Sequence, residues 1–448
     1  MKTLIRNAKL VNQGQIRQQD LLIDAGRIAR IDDTITPDAN TKVIDADGKY
    51  LIPGMIDDQV HFREPGFPNK GNIGSESRAC VAGGITSFME MPNVNPQTTT
   101  LEALEDKYAL AATKAVANFS FYLGATNDNL EVIKRLDPNQ ACGVKTFMGA
   151  STGNMLVDNI EALEGIFANA PTLIATHCED TPTITEQEEL ARAKYGDDVP
   201  MELHGEIRSR EACYKSSSLA VELAKKHQAR LHVLHLTTAE ELEMFKPAKQ
   251  LSQLSSANIT AEVCVHHLYF NDSDYTRLGS QIKCNPSVKK QSDKMALIKA
   301  VNDNVIDIIA TDHAPHTWDE KQNKYFNAPS GVPLVQHALL SLLEHYHNGL
   351  FTLEKIVEKT SHAVAERYQL ADRGYLREGY HADLVLLDLD SPYTVTKDNL
   401  LYHCKWSPFE GHQFNSSIAA TWVNGTLMFD GTNIVDNQLG ERLAFNRD

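Results

Sequence analysis

Two kinds of hydrophobic patterning divide the chain. In its long middle part, apolar β-rich runs recur: LIPGMIDDQVHF, ITSFMEMPN, NFSFYLGAT, GVKTFMGAS, TLIATHCED, RLHVLHLTT, ITAEVCVHHLYF and VIDIIATDHAP. Stretches of helical length and charge alternate with them, such as TLEALEDKYALAATKAV and MALIKAVNDN. Strands buried on both faces read as continuous apolar runs, and alternation with helices implies parallel pairing. Eight such units predict an α/β fold of the (β/α)8 TIM-barrel type. The chain ends are patterned differently. LIRNAKLVN, DLLIDAGRIARI and TKVIDADGKY are short strands broken by turns, and HADLVLLDLD, SSIAATWVNG and LMFDGTN repeat that character near the other end. We expect residues 1–52 and 378–448 to form one small β-sandwich domain, with the barrel spanning 53–377, because chain ends commonly lie close together.

Composition narrows the class without naming a function. The 448 residues are 42% hydrophobic, enough for one large domain and a smaller one. A net charge of −16 argues against a nucleic-acid partner, which requires a basic face. No apolar run approaches the roughly 20 residues of a membrane span, and MKTLIRNAKLVNQG lacks the pattern of a signal peptide. The seven cysteines are scattered without CxxC spacing, as expected of reduced thiols in a cytoplasmic protein.

Chemistry collects at the strand ends, where a barrel of this kind carries its active site. The first run ends in His61 and Arg63, the second in Asn93, the fifth in His177 and the sixth in His235. The fourth carries Lys145, and the eighth ends in Asp312 with His316 beyond it. Histidines, a lysine and an aspartate on one rim make a metal constellation. A buried lysine either pairs with an acid or loses its proton. No acid lies near Lys145 in sequence, which favours a neutral amine that captures carbon dioxide as a carbamate. That bidentate anion would bridge two divalent cations, Lys145, His177 and His235 holding one and His61, Asp312 and the carbamate the other. Such ligands suit Zn2+, one or two ions per chain with two favoured. Paired cations supply a nucleophilic hydroxide, and Asp312 carries its proton to a leaving nitrogen. The reaction class is hydrolysis of a C–N bond, or its reverse.

Alternation along the first run puts Asp57, Gln59 and His61 on one face and Asp58, Val60 and Phe62 on the other. Gln59 stands where a second histidine would complete an HxH ligand pair, and its neutral amide oxygen is a weaker ligand. His232, at odd spacing from His235, is left out of the site on the same argument. Of the adjacent His266 and His267, at most one points inward, for packing or support. His313 turns away from the site to a structural hydrogen bond.

Across nearly its whole length the chain resembles dihydroorotases of the amidohydrolase superfamily. The pieces that carry the likeness are PGMIDDQVHFREPG, MEMPNVNP, THCED, HVLHLTT, AEVCVHHL, KCNPSVK, IATDHAPHTWDEK, the APSG loop and SPFEG. GVKTFMG looks more like the carbamylated-lysine segment of hydantoinases. The resemblance implies interconversion of N-carbamoyl-L-aspartate and L-dihydroorotate in pyrimidine synthesis. It also implies that Arg63, Asn93, Asn285 and His316 hold the substrate's carboxylate and ring amide, with backbone at Pro329 and Gly331 against the pyrimidine. An arginine suits a carboxylate because it gives two parallel bonds. The polar loop 317–331 would close over the site.

Gln59 departs from the family, which has histidine there. Since every other ligand remains, it reads as a changed first-metal site in a working enzyme. Two other readings stay open: an allantoinase or hydantoinase, or an inactive dihydroorotase-like partner of aspartate transcarbamoylase. Relatives commonly pair, so a homodimer is expected. The segment 181–215 reads as a helix pair beside the barrel mouth or as a dimer contact.

Overall fold

A computed structural model describes residues 2–149, 155–247 and 250–447. The first strands are β1 (Lys2–Asn12), β2 (Gln15–Asp24), β3 (Arg27–Asp32), β4 (Thr41–Asp45) and β5 (Tyr50–Pro53). The barrel strands are β6 (Met55–Val60), β7 (Ile85–Glu90), β8 (Asn118–Phe121), β9 (Leu123–Gly124), β10 (Val144–Phe147), β11 (Ile174–His177), β12 (Leu231–Val233), β13 (Ile259–Cys264) and β14 (Ile308–Ala310). Each falls inside one of the eight apolar runs, the third run supplying both β8 and β9. The strands of β6 to β8 pair in parallel, as do those of β9 to β14. Backbone bonds from Tyr122 N to Glu90 O at 3.1 Å and from Cys142 N to Phe121 O at 3.1 Å continue the ring between the two sheets. A parallel bridge between Val60 and His313 closes it, with His61 N donating to His313 O at 2.7 Å. The protein is a TIM-type barrel.

The connecting helices begin where the sequence supplies caps. The Asn72 side chain caps Ile73–Ala82, Thr100 caps Leu101–Ala111 and Ser209 caps Arg210–His227. Each takes a bond from an otherwise orphaned N–H of the first turn. Segment 181–215 contains the helix Thr181–Tyr195 and the start of Arg210–His227, joined through short turns.

After the barrel come β15 (Leu384–Asp388), β16 (Tyr393–Thr394), β17 (Gln413–Phe414), β18 (Ser417–Val423) and β19 (Thr426–Phe429). Both chain ends meet in one eight-stranded mixed sheet, ordered β19-β18-β15-β5-β1-β2-β3, with β4 also pairing β1. β1 shares one edge between two partners: residues 2–6 pair with β4 and residues 9–10 with β5. The register of β1 on β2 slips between Ile5 and Ala8, which bends the strand there. Leu10, Leu21, Leu51, Leu384 and Trp422 share the core of this sheet. The last residues leave it and run along the barrel. Arg447 reaches the carbonyls of Ala141, Cys142 and Tyr368 at 2.8–2.9 Å.

Side chains on non-neighbouring strands meet only through the barrel interior. There Asp58 on β6, His232 on β12 and Glu262 on β13 converge, all fully buried, with His232 Nε2 3.3 Å from Asp58 Oδ2. His232 therefore points inward, below the strand ends, rather than to the outer face. Simple alternation fails on β6 because its register on β7 slips between Asp57 and Val60. The bulge turns Asp58 into the barrel, while Asp57 accepts a bond from Thr311 Oγ1 at 2.6 Å. A bulge beside a site re-aims side chains in this way.

Candidate metal-binding active site

One pocket opens at the strand ends, and most of the residues singled out in the sequence line it. Gln59, His61, Lys145, His177, His235 and Asp312 form its floor, with Arg63, Asn93, Asn285 and Gly331 around them. Phe147, Ala314 and Ser330 also line it. Sequence reasoning did not select these three, although Phe147 shares the strand face of Lys145 two residues earlier. His316 and Pro329 are absent from the lining. Lys321 Nζ donates to Pro329 O at 2.9 Å, and His316 sits behind Arg63, its Nε2 3.0 Å from Arg63 Nη2.

Three pocket residues hold a left-handed backbone: Arg63 (φ +70°), His235 (φ +40°) and Asp312 (φ +49°). Non-glycine residues there are strained by about 1–3 kcal/mol each. The chain turns sharply at three strand ends, and each turn aims a functional side chain at the pocket.

Each imidazole is oriented by a neighbour. His61 Nδ1 lies 2.8 Å from Asn93 Oδ1, and its Nε2 lies 3.1 Å from Asp312 Oδ1. The amide oxygen of Asn93 is thus engaged by His61. His177 Nε2 bonds Glu179 Oε2 at 3.1 Å, and Arg208 Nη1 donates to the same oxygen at 2.7 Å. That leaves His177 Nδ1 facing His235 Nε2 at 3.0 Å. Glu179 and Arg208 escaped the sequence reading; the one hint was that Glu179 shares the parity of His177. Asn285, with its amide turned to satisfy both ends, accepts from Arg208 Nη2 at 3.2 Å and donates to Ser330 Oγ at 2.9 Å.

Burial sets the charge states. It depresses His61, His177 and His235, keeping the rings neutral with lone pairs available. Burial pushes Glu179 up, but Arg208 and His177 outweigh it and bring the carboxyl to about 2. Burial likewise raises Asp312, yet the bond from His61 and the nearby charges hold it below its ordinary value. Lys145 is 1% exposed, and its pKa falls to about 8, chiefly by burial. Among the described residues its ammonium has no hydrogen-bond acceptor and no ion pair, only the Phe147 ring at 4.6 Å.

These observations fit a divalent metal. Two neutral imidazoles aimed at one point, a buried carboxylate beside a third, and a lysine amine that burial makes easier to deprotonate are a donor set that a divalent cation would satisfy. A histidine whose other ring nitrogen is held by a carboxylate, as Glu179 holds His177, is the usual support of a metal ligand.

The loop 317–331 is pinned rather than free. It opens with the helix Trp318–Lys321, capped by Thr317. Lys321 is fully buried and donates to Lys283 O at 3.2 Å and to Gly331 O at 2.9 Å, besides Pro329 O. Lys283 Nζ reaches Ala328 O at 2.6 Å.

The amidohydrolase family pattern matches residues 50–428. The chain belongs to the amidohydrolase family. It is 33% identical over 419 residues to a dihydroorotase of Methanosarcina acetivorans, covering 91% of this chain and 88% of that one. It is 32% identical over 434 residues to a dihydroorotase of Halobacterium salinarum, covering 96% and 97%. An allantoinase of Desulfitobacterium hafniense is 29% identical over 450 residues, covering 98% of each. Among solved structures, an L-hydantoinase (dihydropyrimidinase) from Arthrobacter aurescens matches with a TM-score of 0.92 at 26% identity over 99% of both chains. No helix among the described residues is long and apolar enough to cross a membrane.

Proposed function

We propose that this amidohydrolase is a dihydroorotase, closing N-carbamoyl-L-aspartate to L-dihydroorotate and reopening it. The observation that carries this reading is Arg63. Its side chain lines the pocket at 3% exposure, yet among the described residues it forms no ion pair. Burial lowers its pKa to about 10, so it stays charged at neutral pH. Its Nε donates to Pro315 O at 3.0 Å, and His316 flanks Nη2. A buried guanidinium that feels the charges of Asp312, Glu90 and Glu320 but pairs with none of them calls for an anion, and a carboxylate on a cyclic amide supplies one.

His177, His235 and a carbamylated Lys145 would hold one divalent ion, and His61, Asp312 and the same carbamate a second. Bound Zn2+ supplies a water nucleophilic at neutral pH and polarises the amide carbonyl. The chain's own groups do the rest. Arg63 fixes the carboxylate, and Asn285 and the Gly331 backbone meet the ring amide. Asp312, its Oδ1 beside His61 Nε2, takes a proton in ring opening and delivers it to the departing nitrogen. Asn93 and Glu179 keep His61 and His177 in place, and His316 braces Arg63. The low pKa of Lys145 leaves about a tenth of its amine neutral at pH 7, the form that adds carbon dioxide.

Hydrolysis of allantoin or a hydantoin is the second reading, supported by the allantoinase identity and the hydantoinase fold match. Neither ring carries a carboxylate for Arg63. The test is kcat/KM for L-dihydroorotate, allantoin and hydantoin on one metal-loaded preparation. L-dihydroorotate should lead. Turnover of allantoin or hydantoin without dihydroorotate would overturn the proposal.

A further inference from the structure

Behind Gln59 lies a second group of metal-ligating side chains that the pocket does not use. Cys264 ends β13, and His266 and His267 open the short helix Val265–Tyr269. The Cys264 sulfur and one ring nitrogen of each histidine lie within 4.8 Å of one another. All three residues are buried, His266 at 2% and His267 at 3% exposure. In a strand the two histidines would face apart, but the turn into a helix brings their ring centroids to 4.0 Å.

The hydrogen bonding leaves the lone pairs of this group empty. Among the described residues neither ring nitrogen of His266 meets hydrogen-bond geometry, the backbone at Thr311 being a nearby acceptor. His267 Nε2 donates to Pro286 O at 3.0 Å, which places the proton there and leaves Nδ1 bare and unpartnered. Metal-bound histidines are held in this manner, the far N–H on a carbonyl and the near lone pair on the cation. Buried polar atoms are otherwise paired in the great majority of cases. The fourth neighbour is Gln59, whose Oε1 accepts from the Cys264 thiol at 3.7 Å. A tetrahedral zinc with sulfur at about 2.3 Å and oxygen at about 2.1 Å sets those two atoms about 3.6 Å apart.

We propose that Cys264, His266 and His267, with Gln59 Oε1 as fourth donor, form a thiolate–imidazole site for Zn2+ or a similar borderline-soft divalent cation, separate from the ion cluster of the pocket. Metal entry breaks the Cys264 S–H bond, forms a metal–sulfur bond and releases one proton to solvent. The Glu262 carboxylate, its Oε1 3.5 Å from the sulfur, balances the added charge. Gln59 then has a reason to be an amide. Its oxygen serves this site from the pocket wall.

Cobalt reports on the two sites separately. The pocket donors His61, Lys145, His177, His235 and Asp312 offer only nitrogen and oxygen, so cobalt there gives no sulfur-to-metal charge-transfer band in the near ultraviolet. The full-length protein, produced in cobalt-supplemented medium, should show that band and should hold one more cobalt per chain than Cys264→Ser, in which the band vanishes. Cobalt-loaded wild-type protein without the band overturns the proposal, whether or not the variant folds. A band that survives in Cys264→Ser also overturns it, since another thiol is then the ligand. His267→Gln should weaken the band, and an unchanged spectrum would remove His267 from the site. The spectrum is independent of turnover, so it stands or falls apart from the choice of substrate.

Discussion

Replacing Arg63 by methionine isolates the carboxylate grip. Methionine keeps an unbranched side chain of similar reach and removes the charge. A guanidinium has five N–H donors. In Arg63 one is spent on Pro315 O, and His316 occupies a position at Nη2. Enough remain on Nη1 and Nη2 for two parallel bonds to a carboxylate. Hydrogen bonds to charged groups contribute about 1.5–3 kcal/mol each, so the pair is worth roughly 3–6 kcal/mol. That converts to a loss of kcat/KM of roughly a hundred- to ten-thousand-fold on L-dihydroorotate. The assay pairs L-dihydroorotate with 5,6-dihydrouracil, the same ring without the carboxylate. Wild-type enzyme should prefer the carboxylated ring by about that factor, and Arg63→Met should erase the preference while leaving dihydrouracil within about tenfold of its wild-type rate. An equal loss on both substrates would make Arg63 a purely structural residue. No loss on either would remove it from the site.

Three further perturbations follow from the geometry. In metal-free, carbon-dioxide-free protein, Lys145 loses its proton near pH 8 when folded but only near 10.5 when unfolded. The unfolded chain therefore holds the extra proton between those values, and stability should rise with pH across that window by up to about 3 kcal/mol. Lys145→Met should lack this rise in denaturant titrations, and an identical slope would contradict the lowered pKa of the buried amine. Glu179→Gln removes the charge that fixes His177 and should weaken metal retention against a chelator by about ten- to a hundredfold, with kcat recovering at saturating metal. Unchanged retention would release Glu179 from that role. Lys321→Met strips the loop of three hydrogen bonds, so amide exchange over residues 322–331 should accelerate by about tenfold or more, and unaltered exchange would mean other contacts pin the loop.

The barrel was legible because its strands are buried on both faces, which leaves continuous apolar runs that no surface element imitates. The pocket floor was legible because strand ends project to one rim, so that His61, Lys145, His177, His235 and Asp312 could be gathered from separate runs without knowing any distance. Alternation failed where the backbone departs from a regular strand. The slip between Asp57 and Val60 sent Asp58 inward, and the helix beginning at Val265 put His266 and His267 side by side. Support from distant segments was also invisible. Arg208 on Glu179, Asn93 on His61 and Lys321 under Pro329 are contacts made by folding and leave no mark in local pattern. In the sequence Gln59 shows only as a departure at one ligand position. Its contact with Cys264, 205 residues away in the chain, appears only in three dimensions.

A crystal structure of the metal-loaded protein with L-dihydroorotate bound would show whether this pocket closes and opens the dihydroorotate ring. The substrate carboxylate should lie on Arg63, the ring amide above the floor formed by Lys145, His177, His235 and Asp312, with a carbamate on Lys145. A substrate whose carboxylate lies away from Arg63, or a bare Lys145 amine beside occupied metal positions, would contradict the dihydroorotase reading.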